Sequence, residues 1–239
     1  MRGTRTPPLA SVAIIRAVIV CSLAIFFVFP AFAQDVIPRY TIYTGFDYMI
    51  SPARNLTERG FDADFGVIVK PWLGLGADVS AIGENVISGA GTINGSETIY
   101  AKPVAGLGLD PSLIHVPFKS TTITFAAGPQ FYLRKWKRVT FLARPGFGGI
   151  HESADLTFPP ALGPLFAALQ LPPPAAHQTD TTWFIGAGGG FDINVTRWLG
   201  LRFTADWVNT HLFSDLLTNR QNYVRFTVGP TFRWGELKH

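Results

Sequence analysis

His151-Glu152-Ser153 is the stretch of this chain whose residue types and spacing suggest covalent chemistry. Side chains two apart on a strand point to the same face. His151 and Ser153 would then stand together, and a histidine beside a serine can take its proton as the hydroxyl attacks an acyl ester. Such a pair needs a carboxylate to orient the imidazole, and the nearest are Asp155 and Asp180. His115, His177, His211 and His239 have no mutual spacing typical of a metal site, and nothing in the chain calls for a cofactor. A second chemistry-bearing set is ionic. Asp47, Asp62, Asp64, Asp78, Arg144, Asp192, Arg202, Asp206, Arg225 and Arg233 all fall on the polar parity of their segments. Brought to one face of a closed sheet, they would make a network of ion pairs.

The segments that must position these residues share a two-residue period. In Leu199 to Val208, Leu201, Phe203, Ala205 and Trp207 alternate with Arg202, Thr204 and Asp206. In Tyr223 to Trp234, Val224, Phe226, Val228, Pro230, Phe232 and Trp234 alternate with Arg225, Thr227, Gly229, Thr231 and Arg233. A water-soluble sandwich would bury the apolar face, whereas a membrane barrel shows it to lipid and closes the polar face around a lumen.

The N-terminus favours the barrel. Arg2 and Arg5 precede an apolar stretch from Ala17 to Phe29, and Ala31-Phe32-Ala33 supplies the small residues that a signal peptidase reads. Residues 1–33 are thus predicted to be an export signal, and 34–239 one domain. The single cysteine, Cys21, falls inside that signal, so no disulfide or cysteine metal site is expected after cleavage. The chain holds 20 basic and 16 acidic residues, but Arg2, Arg5 and Arg16 leave with the signal. The remainder is nearly neutral, which speaks against nucleic acid as a partner.

Eight strands are predicted, near 40–50, 60–70, 73–82, 121–133, 139–150, 182–195, 199–209 and 223–234. The connections at Lys70-Pro71-Trp72, Arg134 to Arg138 and Thr196-Arg197-Trp198 are short, and the others are long. Short turns at one end and long loops at the other are the mark of an eight-stranded antiparallel transmembrane up-and-down barrel, with the turns in the periplasm. The turns also repeat in sequence: Trp72-Leu73-Gly74-Leu75 is echoed by Trp198-Leu199-Gly200-Leu201. Tryptophan favours the lipid–water boundary, so Trp72, Trp136, Trp198 and Trp234 are predicted to form an aromatic girdle there.

Phe125 to Phe131, Phe184 to Asp192 and Asn219 to Gly229 resemble the strand motifs of bacterial outer-membrane β-barrel domain proteins, the small porin-like group related to the transmembrane domain of outer-membrane protein A. The resemblance implies an outer-membrane location, lipid and lipopolysaccharide as surroundings, the barrel assembly machinery as a partner, and little chemistry. Chains of this group often end on an aromatic residue, whereas here Trp234 is followed by Gly235-Glu236-Leu237-Lys238-His239. His151 and Ser153 also resemble the catalytic pair of lipid A deacylase barrels, which take a glutamate from a neighbouring strand. No glutamate stands at a matching position downstream.

Three functions follow from these readings. The leading expectation is a non-enzymatic barrel with a structural or loop-mediated role, its lumen closed by Asp47, Asp64, Asp78, Arg144, Arg202, Asp206 and Arg225. Gly186, Gly188 and Gly190, inward by parity, would make room for large neighbours there. Register arithmetic puts Asp206 beside Arg225 and brings Asp47 towards the same arginine. The alternatives are a small-solute pore and a lipid A acyl-ester hydrolase using His151 and Ser153. An external ligand would be met by the long loops, including the apolar, proline-rich segment from Phe158 to Pro174.

Overall fold

The computed structural model describes residues 36–51, 56–83, 92–93, 118–157, 163–164, 167, 175–213 and 221–237. The predicted export signal lies outside these residues, as do His115, His239 and nearly all of the proline-rich segment.

Among the described residues nine strands are formed: β1 (Tyr40–Ser51), β2 (Leu56–Lys70), β3 (Leu73–Gly83), β4 (Thr92–Ile93), β5 (Phe118–Leu133), β6 (Val139–Leu156), β7 (His177–Asn194), β8 (Leu199–Thr210) and β9 (Gln221–Trp234). The eight long ones pair antiparallel with their chain neighbours, and β1 pairs with both β2 and β9, so the sheet closes on itself. Closure leaves no row of unpaired N–H and C=O groups among the long strands, which a spanning sheet in hydrocarbon cannot tolerate. β4 is an addition to the eight predicted strands. It lies in a stretch predicted as loop and pairs with Leu56 and Thr57 of β2.

Several strands run further towards the long-loop end than their alternation predicts. β2 starts at Leu56 rather than Gly60, β5 at Phe118 rather than Thr121, and β7 at His177 rather than Thr182, while β6 continues past Ile150 to Leu156. Residues 177–182, His-Gln-Thr-Asp-Thr-Thr, offer no apolar face to read. They are strand because each pairs with a residue of β6, from Ile150↔Thr182 to Asp155↔His177, and because threonine suits a pleated surface. A spanning strand needs only about 9–11 residues, so the extra length of this hairpin stands outside the membrane.

The exposure pattern is that of a soluble protein turned inside out. Phe61, Leu75, Phe125 and Phe147 are each more than half exposed on the outer face, while Arg202 and Asp47 are 0% exposed inside. Burying charges while exposing large apolar side chains is stable only where the outer solvent is lipid.

Candidate functional site

The barrel interior holds the chemistry-bearing residues. The period of two sends Asp47 of β1, Asp62 and Asp64 of β2, Asp78 of β3, Arg144 of β6, Asp192 of β7, Arg202 and Asp206 of β8, and Arg225 and Arg233 of β9 inward, each 9% exposed or less.

Two clusters form. In the one nearer the short turns, Asp192 and Arg202 lie directly opposite each other on β7 and β8. Arg202 donates Nε to Asp192 Oδ1 at 2.7 Å and Nη1 to Asp64 Oδ1 at 3.2 Å. Arg233 donates to Asp192 Oδ2 at 2.8 Å and to Asn194 Oδ1 at 2.7 Å. The Arg202 guanidinium also lies 5.5 Å from the centre of the Tyr43 ring, and the Gln130 amide donates to Asp64 Oδ2 at 2.7 Å. In the other cluster, Arg144 grips Asp206 with two donors, Nε at 3.0 Å and Nη2 at 2.5 Å, and reaches Asp78 at 3.1 Å and Asp64 at 3.5 Å. Two-point contacts of this kind are the stronger and more specific form of the arginine–carboxylate bond.

Arg225 meets both carboxylates that the register arithmetic names and a third that it does not. It is opposite Asp206 on β8, and its Nη2 lies 3.5 Å from Asp206 Oδ2. Its shortest ionic contact, however, is Asp78 on β3, at 2.9 Å across the lumen, whereas Asp47 Oδ2 is 3.9 Å from its Nε. Pairing arithmetic sees adjacent strands only. A long side chain crossing a narrow lumen reaches strands that arithmetic does not connect.

Among the described residues buried in the interior, six aspartates face four arginines. The imbalance falls on Asp47 and Asp62, whose carboxylate oxygens have no hydrogen-bond donor among the described residues. Two glutamates lie inward nearer the long loops: Glu58 accepts from Ser120 at 2.5 Å and from Thr122 at 3.3 Å, and Glu152 accepts from Tyr223 at 3.3 Å.

Glycines fit the charges into this width. A Cβ on Gly188 would lie 1.7 Å from Asp206 Oδ1, and one on Gly76 would lie 2.0 Å from the Gln130 amide nitrogen. Of the three glycines predicted to make room, Gly188 is the one filled by a charged neighbour. At Gly186 and Gly190 a Cβ would meet the backbone oxygens of Trp207 and Phe203 instead. A cavity of about 50 Å³ opens beside the network, lined in part by Asp64, Asp78, Gly128, Arg144, Gly146 and Gly188.

Sequence reasoning missed the apolar clusters at the two ends of the interior. Towards the long loops, Met49, Ile82, Ile150, Phe184, Val208 and Tyr223 pack with Leu212 and Phe213. The last two belong to the chain beyond β8. Phe213 takes a left-handed backbone, φ 49°, and its N–H donates to the Asp180 carboxylate. Towards the short turns, Ile68, Tyr132 and Leu142 pack together against Ile37, before β1, and Leu237, after β9. Leu237 N donates to Ile37 O at 2.9 Å, so residues 235–237 are docked under the barrel. The signal was partial: Ile68 and Leu142 near the short turns, and Met49, Ile82, Ile150 and Val208 near the long loops, are inward by parity but interleave with polar residues of neighbouring strands.

Outside, Trp72, Trp136, Trp198 and Trp234 sit half-exposed at the short-turn end. Trp72 stacks on Phe131 at 6.3 Å and Trp234 on Tyr40 at 5.9 Å. A second aromatic group, not predicted, lies towards the long loops, where Trp183 contacts Phe147 and His211.

His151 and Ser153 do share the outer face, but the third member of a hydrolytic set is not beside them. His151 Nδ1 is paired with the Thr181 hydroxyl at 2.7 Å. A neutral hydroxyl thus occupies the position where an orienting carboxylate would stabilise the imidazolium. Asp180 points inward to the Phe213 N–H, and Asp155 is taken by His177 at 2.7 Å. The parity of β7 explains this: the residue opposite His151 is Thr181, and its acidic neighbour Asp180 faces the other way.

No protein-family profile matches the sequence, and neither does any curated relative. Solved structures do match it. The attachment invasion locus protein Ail of Yersinia pestis is 11% identical, with a TM-score of 0.48, covering 83% of this chain and 100% of that one. Neisserial surface protein A is also 11% identical, with a TM-score of 0.48 and coverage of 82% and 97%. The outer-membrane protein OprG of Pseudomonas aeruginosa is 10% identical, with a TM-score of 0.46 and coverage of 84% and 99%. The class follows from this chain's own closure, its lipid-facing outer surface and its charged interior: it is a small transmembrane β-barrel of the bacterial outer-membrane type.

Proposed function

We propose that this protein is a non-enzymatic outer-membrane barrel with a blocked lumen, acting through its structure or its long loops rather than by passing solutes. One observation carries the reading: the interior is filled along its length, with the Asp–Arg pairs at its middle, Leu212 and Phe213 packed at the long-loop end and Ile37 and Leu237 at the short-turn end. An ion crossing the interior has to displace the side chains packed at both ends and break the Arg144 and Arg225 pairs between them. Purified protein in a planar bilayer is expected to leave the membrane at its bare conductance. Regular channel steps in unmodified protein would overturn the reading.

Several partners and processing steps belong to the same proposal. Residues 1–33 are removed on export. Lipopolysaccharide and phospholipid surround the barrel, and the assembly machinery reads the aromatic end of β9 at Phe232 and Trp234. An external ligand binds the loops over 84–117 and 157–176. The space beside Arg144 favours the pore as the second reading, with the network as its gate. The hydrolase has no such support, because Thr181 takes the place of the carboxylate. Lipid A mass spectrometry with and without the protein is expected to show the same acyl pattern.

A further inference from the structure

The short-turn end of the barrel is strongly cationic, and nothing in the preceding reading uses that charge. The turn between β5 and β6 carries Arg134, Lys135, Lys137 and Arg138 around Trp136. Arg39, Lys70 and Arg197 lie in the other turns and ends on that side, against Glu236 as the sole carboxylate among the described residues there. The opposite end lacks this bias: the connections over 52–55, 84–117, 157–176 and 211–220 hold three cations against four carboxylates.

The basic turn is built rather than merely exposed. Asn194 donates its backbone N–H to Arg138 O at 2.8 Å and its side-chain amide to Lys137 O at 3.1 Å, fixing the turn against β7. Tyr132 N–H donates to Trp72 O at 2.9 Å, which sets the Lys70-Pro71-Trp72 turn beside it. The cations are also fixed in depth. Lys135 lies 5.6 Å from the Trp136 ring centre, Lys70 lies 5.8 Å from Trp72, and Arg39 lies 5.6 Å from Tyr40. Aromatic side chains at the membrane boundary sit at headgroup level, so these ammonium and guanidinium groups stand at the depth of lipid phosphates.

Arg134 supplies an independent observation. Its guanidinium lies 4.4 Å over the Tyr132 ring, and its buried Nε has no hydrogen-bond partner among the described residues. Burial, with Arg233 and Arg202 nearby, pulls it down to about 10. Its Nε is thus a buried donor left open on the inner side of the turn. We infer that the β5–β6 turn, flanked by Lys70, is a binding site for the phosphate of an anionic glycerophospholipid in the leaflet facing the short turns.

The test uses the full protein reconstituted into phosphatidylcholine vesicles containing brominated phosphatidylglycerol or, in parallel, brominated phosphatidylcholine. Quenching of tryptophan fluorescence reads the relative association of the two lipids. Anionic lipid is expected to be preferred about five-fold at low salt, since each basic residue near the surface adds attraction that salt screens. In Arg134→Gln/Lys135→Gln/Lys137→Gln/Arg138→Gln the preference is expected to fall to less than about two-fold. Arg59→Gln/Lys119→Gln, which removes two exposed cations from the other end, is expected to keep it. Unboiled gel mobility establishes folding of each variant. If the quadruple variant does not fold, Lys135→Gln/Lys137→Gln carries the test with about half the loss. Equal quenching by the two lipids, or equal loss in both sets of variants, would overturn the site. Loss of the preference on adding millimolar inorganic phosphate at constant ionic strength would assign the turn to a soluble anion and overturn the lipid.

Discussion

Replacing Arg144 with methionine keeps most of the side-chain volume and removes one buried cation, and the structure says what is left behind. Asp206 loses both donors at 2.5 and 3.0 Å and keeps Arg225 Nη2 at 3.5 Å. Asp78 keeps Arg225 at 2.9 Å, and Asp64 keeps Arg202 at 3.2 Å. Asp206 is therefore the carboxylate stranded in the interior, and breaking one side of a buried pair costs about 3 to 5 kcal/mol. With a urea slope of about 1–3 kcal/mol per molar, the unfolding midpoint is expected to fall by more than about 1 M. Loss of the fast-migrating unboiled gel band and the tryptophan emission shift both measure it in zwitterionic micelles. Arg144→Met/Asp206→Asn is expected to recover about half of the loss, because the stranded charge is gone. A midpoint within about 0.3 M of the unmodified protein for Arg144→Met would refute the network as a source of stability.

The acid excess gives opposite signs at two aspartates. Asp62→Asn removes a carboxylate without a donor and is expected to leave the urea midpoint unchanged or raise it, whereas Asp192→Asn takes the anion from both Arg202 and Arg233 and is expected to lower it by about 3 to 5 kcal/mol equivalent. Val228→Arg, on the lipid face and paired with Phe46 and Phe203, is expected to cost about 2–4 kcal/mol when refolding into vesicles is measured; a loss below 1 kcal/mol would place β9 away from the bilayer midplane. Arg225→Ala alone is expected to leave bilayer conductance at baseline, and Arg225→Ala with Leu212→Ser and Phe213→Ser to produce channel steps. Steps from the single variant would mean that the apolar layers do not seal the interior.

Most of the barrel was legible because its information is periodic. Leu201, Phe203, Ala205 and Trp207 name the lipid face of β8 without any partner strand, and parity alone sends Asp206 and Arg225 inward. What parity lacks is reach. It cannot say that Arg225 crosses to Asp78, because that depends on the length of arginine against the width of the lumen. It also cannot find strand in His177 to Thr182, where no face is apolar and the pairing comes entirely from β6. His151 and Ser153 show the opposite failure. Their shared face was read correctly, but the residue that decides their chemistry, Thr181, lies on another strand.

The two apolar clusters and the charged network depend on each other energetically. Ion pairs in water contribute little, because solvent competes for both partners; buried as these are, the same pairs interact more strongly, and each unpaired charge becomes expensive. At the long-loop end the seal carries its own cost. A left-handed Phe213 sacrifices of order 1–3 kcal/mol of backbone energy, which full burial of Leu212 and Phe213, at roughly 1.5–3 kcal/mol for each side chain, can offset. The strained turn is tied to Asp180, the acidic residue that parity turned away from His151. One residue's orientation on β7 thus separates two designs for this end of the barrel. Facing outward, Asp180 would have stood beside His151; facing inward, it holds Phe213 at the long-loop end of the interior.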